Sequence, residues 1–389
     1  MNTQQLTDQY VAGTYARFPV AFAKGEGSLL WDEGGKEYID LGSGIAVNGL
    51  GLADAGWAEA VSAQLLQIAH ASNLYYTQPQ ALLAEALCRR TGMQKAFFAN
   101  SGAEANECMI KAARKYAADR WGDEARPMII ALKNSFHGRT LATLAATGQE
   151  SFHHHFGPFP AGFCHAEPND IDDLQRVLEE NEGRCCALML EPVQGEGGVV
   201  PLDKTYVRQA AALVQTHEML LLLDEVQCGN GRTGTLFAFE QYGVRPDLLS
   251  TAKGLAGGLP FGACLFGEAV KDTLGPGDHG STFGGNPACA AGALYVLNSL
   301  DGALLQSVRE KEAYIRQRLA NAPGVKAVTG LGLMLGVATE RPAKEVLAGC
   351  LARGVVVLTA KDKVRLLPAL NIPDDLLAKA LDVLCEACV

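Results

Sequence analysis

The chain has 389 residues, of which 48% are hydrophobic and 20% are charged, a balance typical of a folded globular protein with a sizeable core. Its length favours about two or three domains. The formal net charge of −10 excludes broad contact with nucleic acid, whose phosphates require Lys and Arg, and favours small molecules or further copies of the chain as partners.

The amino-terminal stretch MNTQQLTDQYVAG lacks the basic and apolar segments of a signal peptide. No uncharged apolar run is long enough to cross a bilayer. We therefore expect a cytoplasmic protein that does not contact a membrane. The eleven cysteines are expected to be free thiols, and because they include no two pairs at zinc-ligand spacing, we predict no metal site.

Residues 1–52 mix short apolar runs with turn residues, and GEGSLLWDEGGKEYIDLGSG predicts a β-hairpin. We expect this segment to pack with a small carboxy-terminal domain. Over residues 53–285, helical patterns alternate with short apolar runs, which predicts a mostly parallel sheet flanked by helices. The runs are Ala96–Ala99, Met128–Leu132, Ala187–Leu190, Leu220–Leu223 and Phe261–Phe266.

Residues 286–389 predict a smaller α+β domain. The stretch from Pro287 to about Leu319 has the pattern of one long helix. Beyond it, VKAVTGLGLMLGVAT and GVVVLTAKDKVRLLPAL are typical of β-strands that alternate with helices. The predicted fold class is therefore α/β for the large domain, with an α+β domain following it.

The apolar run Leu220–Leu223 ends in an acid, Asp224. Because ligands bind at the carboxyl ends of parallel strands, this acid is placed to meet a ligand. Lys253 follows in TAKGLAGGLP, where glycines allow the backbone to approach a bulky group closely. A carboxylate facing a cationic ring nitrogen, together with a lysine, indicates a Schiff-base cofactor site. A solvated Asp and a surface Lys are the simpler explanation of these two residues alone.

The stretch FFANSGAEANE predicts a strand that runs into a helix beginning near Gly102. The first N–H groups of a helix and the positive end of its dipole bind phosphate, so Ser101, Gly102 and Ala103 are candidate phosphate-binding residues. Ser101 and Glu104 also match a capping box, which would close the helix without any ligand. Taken alone, the stretch fits both interpretations.

Three further loops carry candidate binding residues. In NSFHGRT, the ring of Phe136 suits stacking on a planar group, and Arg139 suits a carboxylate. EPVQGEGGV places two glutamates around a glycine turn, and GPGDHGSTFGGNP supplies hydroxyl and backbone donors for an anion. Each loop taken alone also fits an ordinary core residue or a surface loop.

The stretch CGNGRTG has the G-x-G-x-x-G spacing of a dinucleotide-binding fingerprint at Gly229, Gly231 and Gly234. That fingerprint requires a direct passage from strand to turn, whereas Asp224 and Gln227 stand between the strand and the first glycine. No clear helix start follows Gly234. A nicotinamide or flavin dinucleotide oxidoreductase is therefore an alternative from a different class.

In chain order, the motifs NSGAEANE, SFHGRT, EPVQGEGGV, LLLDEVQCGNGRTG, TAKGLAGGLP and HGSTFGGNP resemble the class III pyridoxal-phosphate aminotransferases of fold type I. The acetylornithine aminotransferase subgroup is the most similar. The resemblance extends over nearly the whole chain, and six motifs in one order are far more specific than any one of them. It implies pyridoxal 5′-phosphate as the cofactor and a mostly parallel central sheet as the fold.

The resemblance also implies roles around the cofactor ring. Lys253 would form the Schiff base, and Asp224 would face the pyridinium nitrogen. Val226 and Phe136 would pack on the two faces of the ring. Gln227 would hydrogen-bond on the side of the phenolic oxygen.

For the phosphate, the resemblance implies binding at Ser101, Gly102 and Ala103. Ser281 and Thr282 would reach the same phosphate from the neighbouring subunit. The expected assembly is therefore a homodimer with shared active sites.

For the substrates, the resemblance implies that Arg139 binds a substrate carboxylate. Arg365, in KVRLLPAL, would bind the α-carboxylate of glutamate or 2-oxoglutarate. Glu196 would pair with Arg365 while the other substrate is bound. A removable ion pair of this kind lets one site serve two substrates.

Two positions depart from the family pattern. Many relatives have Gly-His-x-His-Pro where this chain reads GLADAG, at residues 51–56. Ornithine aminotransferases carry a tyrosine near the position of Gly44, and its absence here favours an acylated substrate.

The expected reaction moves the terminal amino group of N2-acetylornithine to 2-oxoglutarate, a step of arginine biosynthesis. Transamination of ornithine, succinylornithine or 4-aminobutyrate and an aminomutase reaction are the alternatives within the class. A binding protein of the same fold without turnover is the alternative outside it.

Overall fold

The structure is a computed structural model that describes residues 1–123 and 125–389. The strands are β1 (Phe22–Glu26), β2 (Leu29–Asp32), β3 (Glu37–Asp40), β4 (Lys95–Ala99), β5 (Met128–Leu132), β6 (Phe163–Ala166), β7 (Cys185–Leu190), β8 (Val193–Gln194), β9 (Val200–Pro201), β10 (Leu220–Asp224), β11 (Leu248–Thr251), β12 (Gly262–Phe266), β13 (Val325–Leu331), β14 (Met334–Thr339), β15 (Val355–Val356), β16 (Leu358–Ala360) and β17 (Lys363–Leu366).

The helices are α1 (Thr3–Tyr10), α2 (Ser43–Ala46), α3 (Ala55–Gln67), α4 (Gln78–Thr91), α5 (Gly102–Trp121), α6 (Leu141–Ala146), α7 (Ile171–Glu180), α8 (Lys204–Thr216), α9 (Phe239–Tyr242), α10 (Pro287–Ser299), α11 (Gly302–Leu319), α12 (Ala343–Ala352) and α13 (Asp374–Cys388). Two single 3-10 turns cover Glu150–Phe152 and Lys253–Ala256.

A seven-stranded sheet in the order β4-β12-β11-β10-β7-β5-β6 forms the centre of the molecule. Strand β12 runs antiparallel to its neighbours β11 and β4, and the other pairings are parallel. The predicted mostly parallel sheet is confirmed. Strands β6 and β11 were not predicted, because their sequences FCHA and LLST contain no continuous apolar run.

Strand β10 shows why a parallel strand at the centre of this sheet consists of leucines. Leu221 and Leu223 pack into one hydrophobic core, while Leu220 and Leu222 pack into a second core on the opposite face. Because both faces of the sheet are covered, the strand has apolar side chains on both of its faces. The first polar position is Asp224, at the carboxyl edge of the sheet.

The predicted hairpin of the amino-terminal segment is present, with β2 antiparallel to β3. Strand β3 continues this sheet by pairing in parallel with β15, from the carboxy-terminal part of the chain. A separate antiparallel sheet has the order β13-β14-β17-β16. The division of the chain into residues 1–52, 53–285 and 286–389 stays a prediction.

The prediction of one helix from Pro287 to Leu319 is wrong. Helices α10 and α11 are separate and bent by 71° relative to each other. Leu300 leaves the helical conformation with a ψ of 68°, and the side chain of Asp301 caps α11 by accepting the N–H of Leu304 at 2.8 Å. In the described parts of the chain, no single helix is long and apolar enough to span a membrane, and only the bent pair together meets that length and hydropathy.

Candidate active site

A pocket of about 590 Å³ lies at the carboxyl edge of the central sheet. Most of its lining comes from five segments at the ends of the strands β4, β5, β7, β10 and β11, and Tyr15, Val47 and residues 258–261 complete it. The residues predicted for the site that line this one pocket are Ser101, Gly102, Ala103, Phe136, Arg139, Asp224, Val226, Gln227 and Lys253. Residues far apart in the sequence therefore meet at the sheet edge where ligands bind in open α/β folds.

The carboxylate of Asp224 is buried and surrounded by donors. Its Oδ2 accepts a hydrogen bond from Asn106 Nδ2 at 2.7 Å and lies 2.8 Å from His137 Nδ1. Its Oδ1 accepts the backbone N–H of Val226 at 3.0 Å and the hydroxyl of Ser250 at 3.4 Å. These bonds fix the carboxylate at the end of β10. Asn106, His137 and Ser250 carry no signal of this role in the sequence.

Lys253 begins the turn after β11 with a φ of 43°, in the left-handed region that non-glycine residues rarely adopt. No hydrogen bond or ion pair holds its amine within the described residues. Burial lowers the pKa of Lys253, against the opposing effect of the nearby Glu196 carboxylate. The neutral amine, which is the form that acts as a nucleophile or a base, is therefore more populated than on a surface lysine.

The amino terminus of α5 faces the same pocket. Ser101 caps the helix, its Oγ accepting the N–H of Glu104 at 3.2 Å. Glu104 bonds the backbone and side chain of Asn100 at 2.6 and 2.8 Å. The N–H groups of Gly102 and Ala103 lie in the first turn of α5, where no carbonyl of the preceding turn is available to accept them. They are therefore free to bind an anion.

Gly102 is required for close packing at this point. A Cβ at this position would lie 2.6 Å from Cγ1 of Val226, which is shorter than any van der Waals contact. The absence of a side chain lets Val226 and the start of α5 border the same pocket.

Arg365, on β17, is almost completely buried and held by two side chains. Its Nη1 donates to Glu196 Oε1 at 2.6 Å and to Gln227 Oε1 at 3.0 Å. Burial raises the pKa of Glu196, but the charge of Arg365 and its hydrogen bond outweigh that effect and lower the pKa below its ordinary value. Gln227 connects this ion pair to the Lys253 pocket, because it lines the pocket as well.

Ser281 and Thr282 do not line the Lys253 pocket of their own chain. They border a separate surface pocket of about 950 Å³. Ser281 Oγ accepts hydrogen bonds from Asn100 Nδ2 at 3.2 Å and from the N–H of Gly284 at 2.9 Å. Ser281, which borders the second pocket, is thus bonded directly to Asn100, which lines the Lys253 pocket.

The chain matches the sequence profile of the family "Aminotransferase class-III" over residues 10–388. It belongs to the class-III aminotransferases. These enzymes depend on pyridoxal phosphate, so the predicted family, cofactor and enzyme class are confirmed.

Two relatives and one solved structure cover nearly the whole chain. The acetylornithine aminotransferase of Haemophilus ducreyi is 50% identical over 385 residues, 98% of this chain and 97% of that protein. A succinylornithine transaminase of Salmonella paratyphi B is 42% identical, and the match covers 99% of this chain and 96% of that protein. The crystal structure of N-acetylornithine aminotransferase from Stenotrophomonas maltophilia has a TM-score of 0.85 at 34% identity, covering 98% and 97%. The predicted fold is therefore confirmed.

The pocket of this class-III aminotransferase fits pyridoxal phosphate. The Lys253 amine, which has no hydrogen-bonded partner among the described residues, suits the aldehyde carbon, and the Asp224 carboxylate suits a cationic ring nitrogen. Phe136 and Val226 supply apolar surface for a planar ring, and the free N–H groups at the start of α5 suit the phosphate.

Glu191 and Tyr15 are further pocket residues to which the resemblance assigns no role. Glu191 accepts the backbone N–H of Phe136 at 2.8 Å and that of Gly195 at 3.2 Å, and burial raises its pKa to about 7. It therefore connects the Phe136 loop to the loop that carries Glu196. Tyr15 also lines the pocket, from a segment whose sequence gives no signal of binding.

The glycines at 229, 231 and 234 serve packing. They form a turn whose Arg232 Nη1 donates to the carbonyl of Leu333 at 3.2 Å and also bonds the carbonyl of Pro368. Gly231 adopts a φ of 82°, and a Cβ there would lie 2.9 Å from Leu300. The dinucleotide interpretation of this spacing is wrong, since the turn joins the sheet to the carboxy-terminal segment and begins no helix.

Proposed function

We propose that this class-III aminotransferase transfers the terminal amino group of N2-acetylornithine to 2-oxoglutarate. The products are N-acetylglutamate 5-semialdehyde and glutamate, and the reaction belongs to arginine biosynthesis. The similarity to the Haemophilus ducreyi acetylornithine aminotransferase, 50% over nearly the whole chain, is the observation that carries this choice of substrate. The absence, near Gly44, of the tyrosine that ornithine aminotransferases carry also favours an acylated substrate over free ornithine.

Pyridoxal phosphate supplies a ring that withdraws electrons from the substrate carbon when that carbon loses a proton. Two residues of the chain would act on two different protons. Asp224, fixed by four donors, would favour a proton on the ring nitrogen. Lys253 Nζ takes the proton from the substrate carbon that bears the amine, and its lowered pKa favours the neutral form needed for this step.

Orientation of the ring depends on residues of three segments. Phe136 and Val226 would hold the ring plane, and Gln227 would donate a hydrogen bond toward the phenolic oxygen. The free N–H groups of Gly102 and Ala103 would bind the phosphate. These contacts keep the reacting carbon near Lys253.

Two arginines would serve the two substrates. We assign Arg139 to the carboxylate that lies far from the transferred amine, since it lines the pocket and has no carboxylate partner among the described residues. We assign Arg365 to the α-carboxylate of 2-oxoglutarate or glutamate. With acetylornithine bound, Glu196 would remain paired with Arg365, because that substrate presents no carboxylate there.

A homodimer with shared sites is part of the proposal. Several large apolar side chains are exposed to solvent: Leu74 at 88% lines the second pocket, Phe283 at 59% directly follows Thr282, and Leu66 at 89% lies on α3. An exposed apolar surface of this kind usually marks an interface. A second copy that covers it would bring Thr282 and Ser281 to the phosphate site of its neighbour.

The cytoplasm is the proposed location. All eleven cysteines are free thiols, as expected in a reducing compartment.

Succinylornithine is the second candidate substrate, favoured by the 42% identity to succinylornithine transaminases. Both molecules carry an acyl group on the α-amine, so the arginine assignments apply equally to them. Ornithine and 4-aminobutyrate lack this group. A binding protein without turnover is disfavoured by the presence of both Asp224 and Lys253 in one pocket.

Rates of the four amino donors with 2-oxoglutarate test the proposal. N2-acetylornithine is expected to give the highest kcat/KM, ahead of N2-succinylornithine, ornithine and 4-aminobutyrate. A higher value for any of the other three would reassign the substrate. The variant Lys253→Ala is expected to lose turnover while it still binds the cofactor, and full activity in that variant would remove the catalytic assignment.

A further inference from the structure

We propose that Phe152 is a positioning residue that holds the guanidinium of Arg139 in the pocket, and thereby sets the preference for substrates with a carboxylate remote from the reacting amine. The inference deepens the proposed function and rests on it for the role of Arg139. Phe152 lies on the single turn Glu150–Phe152, outside all the motifs of the sequence analysis.

Arg139 lies against two aromatic rings. Its Cζ is 4.1 Å from the ring centroid of Phe152 and 5.5 Å from that of Phe136. The two rings are 5.7 Å apart and nearly perpendicular, at 74°. The shorter distance identifies Phe152 as the main contact, within the range of a cation–π interaction.

The two substrate arginines are held in different ways. Arg365 is buried and forms an ion pair with Glu196 at 2.6 Å. Arg139 is exposed at the pocket, and over residues 1–123 and 125–389 it forms no hydrogen bond or ion pair. An aromatic face orients a guanidinium without neutralising it, so an incoming carboxylate at Arg139 has no protein carboxylate to displace.

Phe152 is itself fixed to the loop that carries the ring-facing residue. The side chain of Gln149 donates to the carbonyl of Ser135 at 3.1 Å, and the N–H of Gly148 donates to Ser135 Oγ at 3.0 Å. Ser135 directly precedes Phe136. The positions of Phe136 and of the Arg139 guanidinium are therefore set by the same short loop.

Removal of the aromatic face leaves Arg139 with freely rotating side-chain bonds. A substrate carboxylate must then order this side chain on binding, which weakens the complex. A substrate without that carboxylate makes no use of Arg139 and loses nothing. This difference separates a positioning role from a general structural role.

The test compares N2-acetylornithine with N-acetyl-1,4-diaminobutane, the same molecule without the carboxylate, in the holoenzyme. In Phe152→Leu, the preference for acetylornithine in kcat/KM is expected to fall about fivefold, mainly through KM, as expected for the loss of one cation–π contact. Phe152→Tyr keeps the aromatic face and is expected to keep the preference. An equal loss on both substrates in Phe152→Leu, or no loss on either, would overturn the proposal.

A binding experiment separates this inference from the proposed function. Glutarate, a dicarboxylate that cannot be transaminated, is titrated into the holoenzyme by calorimetry. Its Kd is expected to rise about fivefold in Phe152→Leu and in Phe152→Met. The control Phe156→Leu, on the same segment but without a contact to Arg139, is expected to keep the wild-type Kd.

The two experiments fail differently. A wild-type enzyme that does not use acetylornithine would reject the proposed substrate, and the glutarate titration would still test Phe152. An unchanged Kd for glutarate in correctly folded Phe152→Leu and Phe152→Met would reject the positioning role, whatever the substrate is.

Discussion

At the scale of residues, the charge of Asp224 is held in place mainly by neutral donors. The amide of Asn106, the N–H of Val226 and the hydroxyl of Ser250 all point at the carboxylate, and no Lys or Arg among the described residues pairs with it. Hydrogen bonds fix the carboxylate, and its negative charge stays available for a cation in the pocket. This is the arrangement that a protonated ring nitrogen requires.

The variant Asn106→Leu removes one strong donor from Asp224 while it keeps the same number and branching of side-chain heavy atoms. Asn106 Nδ2 also donates to the carbonyl of His137 at 2.7 Å, so the variant loosens a second neighbour of the carboxylate. Because a hydrogen bond to a charged group contributes about 1.5–3 kcal/mol, we expect kcat to fall about 10- to 100-fold. Steady-state kinetics at saturating cofactor provide the measurement.

A matched control is Asn371→Leu. Asn371 Nδ2 donates to the carbonyl of Leu50 at 3.0 Å, outside the pocket. This variant is expected to change thermal stability but not kcat. Equal kcat in Asn106→Leu and wild type would contradict the role assigned to Asn106.

The variant Arg365→Ala separates the two half-reactions. Removing one partner of a buried ion pair typically costs about 2–5 kcal/mol, and only 2-oxoglutarate is assigned to this arginine. We expect at least about a 30-fold slower second half-reaction and a much smaller change with acetylornithine. Single-turnover measurements of each half-reaction would detect the asymmetry.

Glu196→Gln is the companion variant. It keeps the size of the side chain but removes the charge that pairs with Arg365. The affinity for 2-oxoglutarate is expected to equal or exceed that of the wild type, because the substrate then displaces a neutral side chain from Arg365. A second half-reaction as slow as in Arg365→Ala would show that the ion pair itself, and not the free arginine, supports catalysis.

At the scale of elements, the site is assembled from segments that follow strand ends. The start of α5 follows β4, the Phe136 loop follows β5, and Lys253 follows β11. Parallel strands place all these segments at one edge, so a rigid sheet fixes the distances between them. The start of α5 is the tightest point, because Val226 packs directly on Gly102.

Gly102→Ala is expected to weaken cofactor binding. The added Cβ would lie 2.6 Å from Val226 Cγ1, so either Val226 or the start of α5 must move, and both border the pocket. We expect the Kd for pyridoxal phosphate to rise about tenfold or more, since overpacking typically costs 1–3 kcal/mol. Fluorescence titration of the apoenzyme measures this change.

Gly302→Ala is the matched control, because Gly302 also begins a helix but has open space around its Cα. Replacing a glycine at such a position usually stabilises a protein by about 0.4–1 kcal/mol. Cofactor affinity should not change. If Gly102→Ala bound the cofactor as tightly as Gly302→Ala, the close packing at α5 would have no function.

The sequence predicted the elements that have a clear apolar pattern. Strand β10 consists of four leucines and an acid, and this pattern by itself predicts a buried parallel strand. Strands β6 and β11 have short, partly polar sequences. Along the chain, only their place between two more apolar strands indicates that they are strands. The break between α10 and α11 was missed because Leu300 continues the apolar pattern while Asp301 acts as a cap.

The motif residues also proved easier to find than their partners. Six motifs in order pointed to Lys253 and Asp224, and the structure brings these into one pocket. Asn106 and His137 lie inside the same motifs, but nothing in a linear sequence shows that both face Asp224 across 118 and 87 positions. Phe152 belongs to no motif. Such contacts depend on tertiary packing, which periodicity does not encode.

At the scale of the whole molecule, the two pockets of one chain are complementary in content. One contains Lys253 and the free N–H groups at the start of α5, and the other carries Thr282 beside an exposed apolar surface. In a two-fold symmetric dimer, a contact between the second pocket of one subunit and the first pocket of its partner is repeated in reverse by symmetry. The proposed contact would therefore produce two identical shared sites.

A mixing experiment tests the shared site directly. Lys253→Ala removes the amine from one pocket, and Thr282→Glu places a negative charge where the phosphate would be bound, so each homodimer is expected to have very low activity. In a hybrid dimer, one site has neither defect, because its Lys253 and its Thr282 come from different chains. After unfolding and refolding of an equal mixture, half of the dimers are hybrids with one intact site each, so about a quarter of wild-type activity should return.

If both residues instead served the same chain's site, every site in the mixture would keep one defect. Activity would then stay at the sum of the two variants, and the exposed face around Leu66 and Phe283 would need another partner.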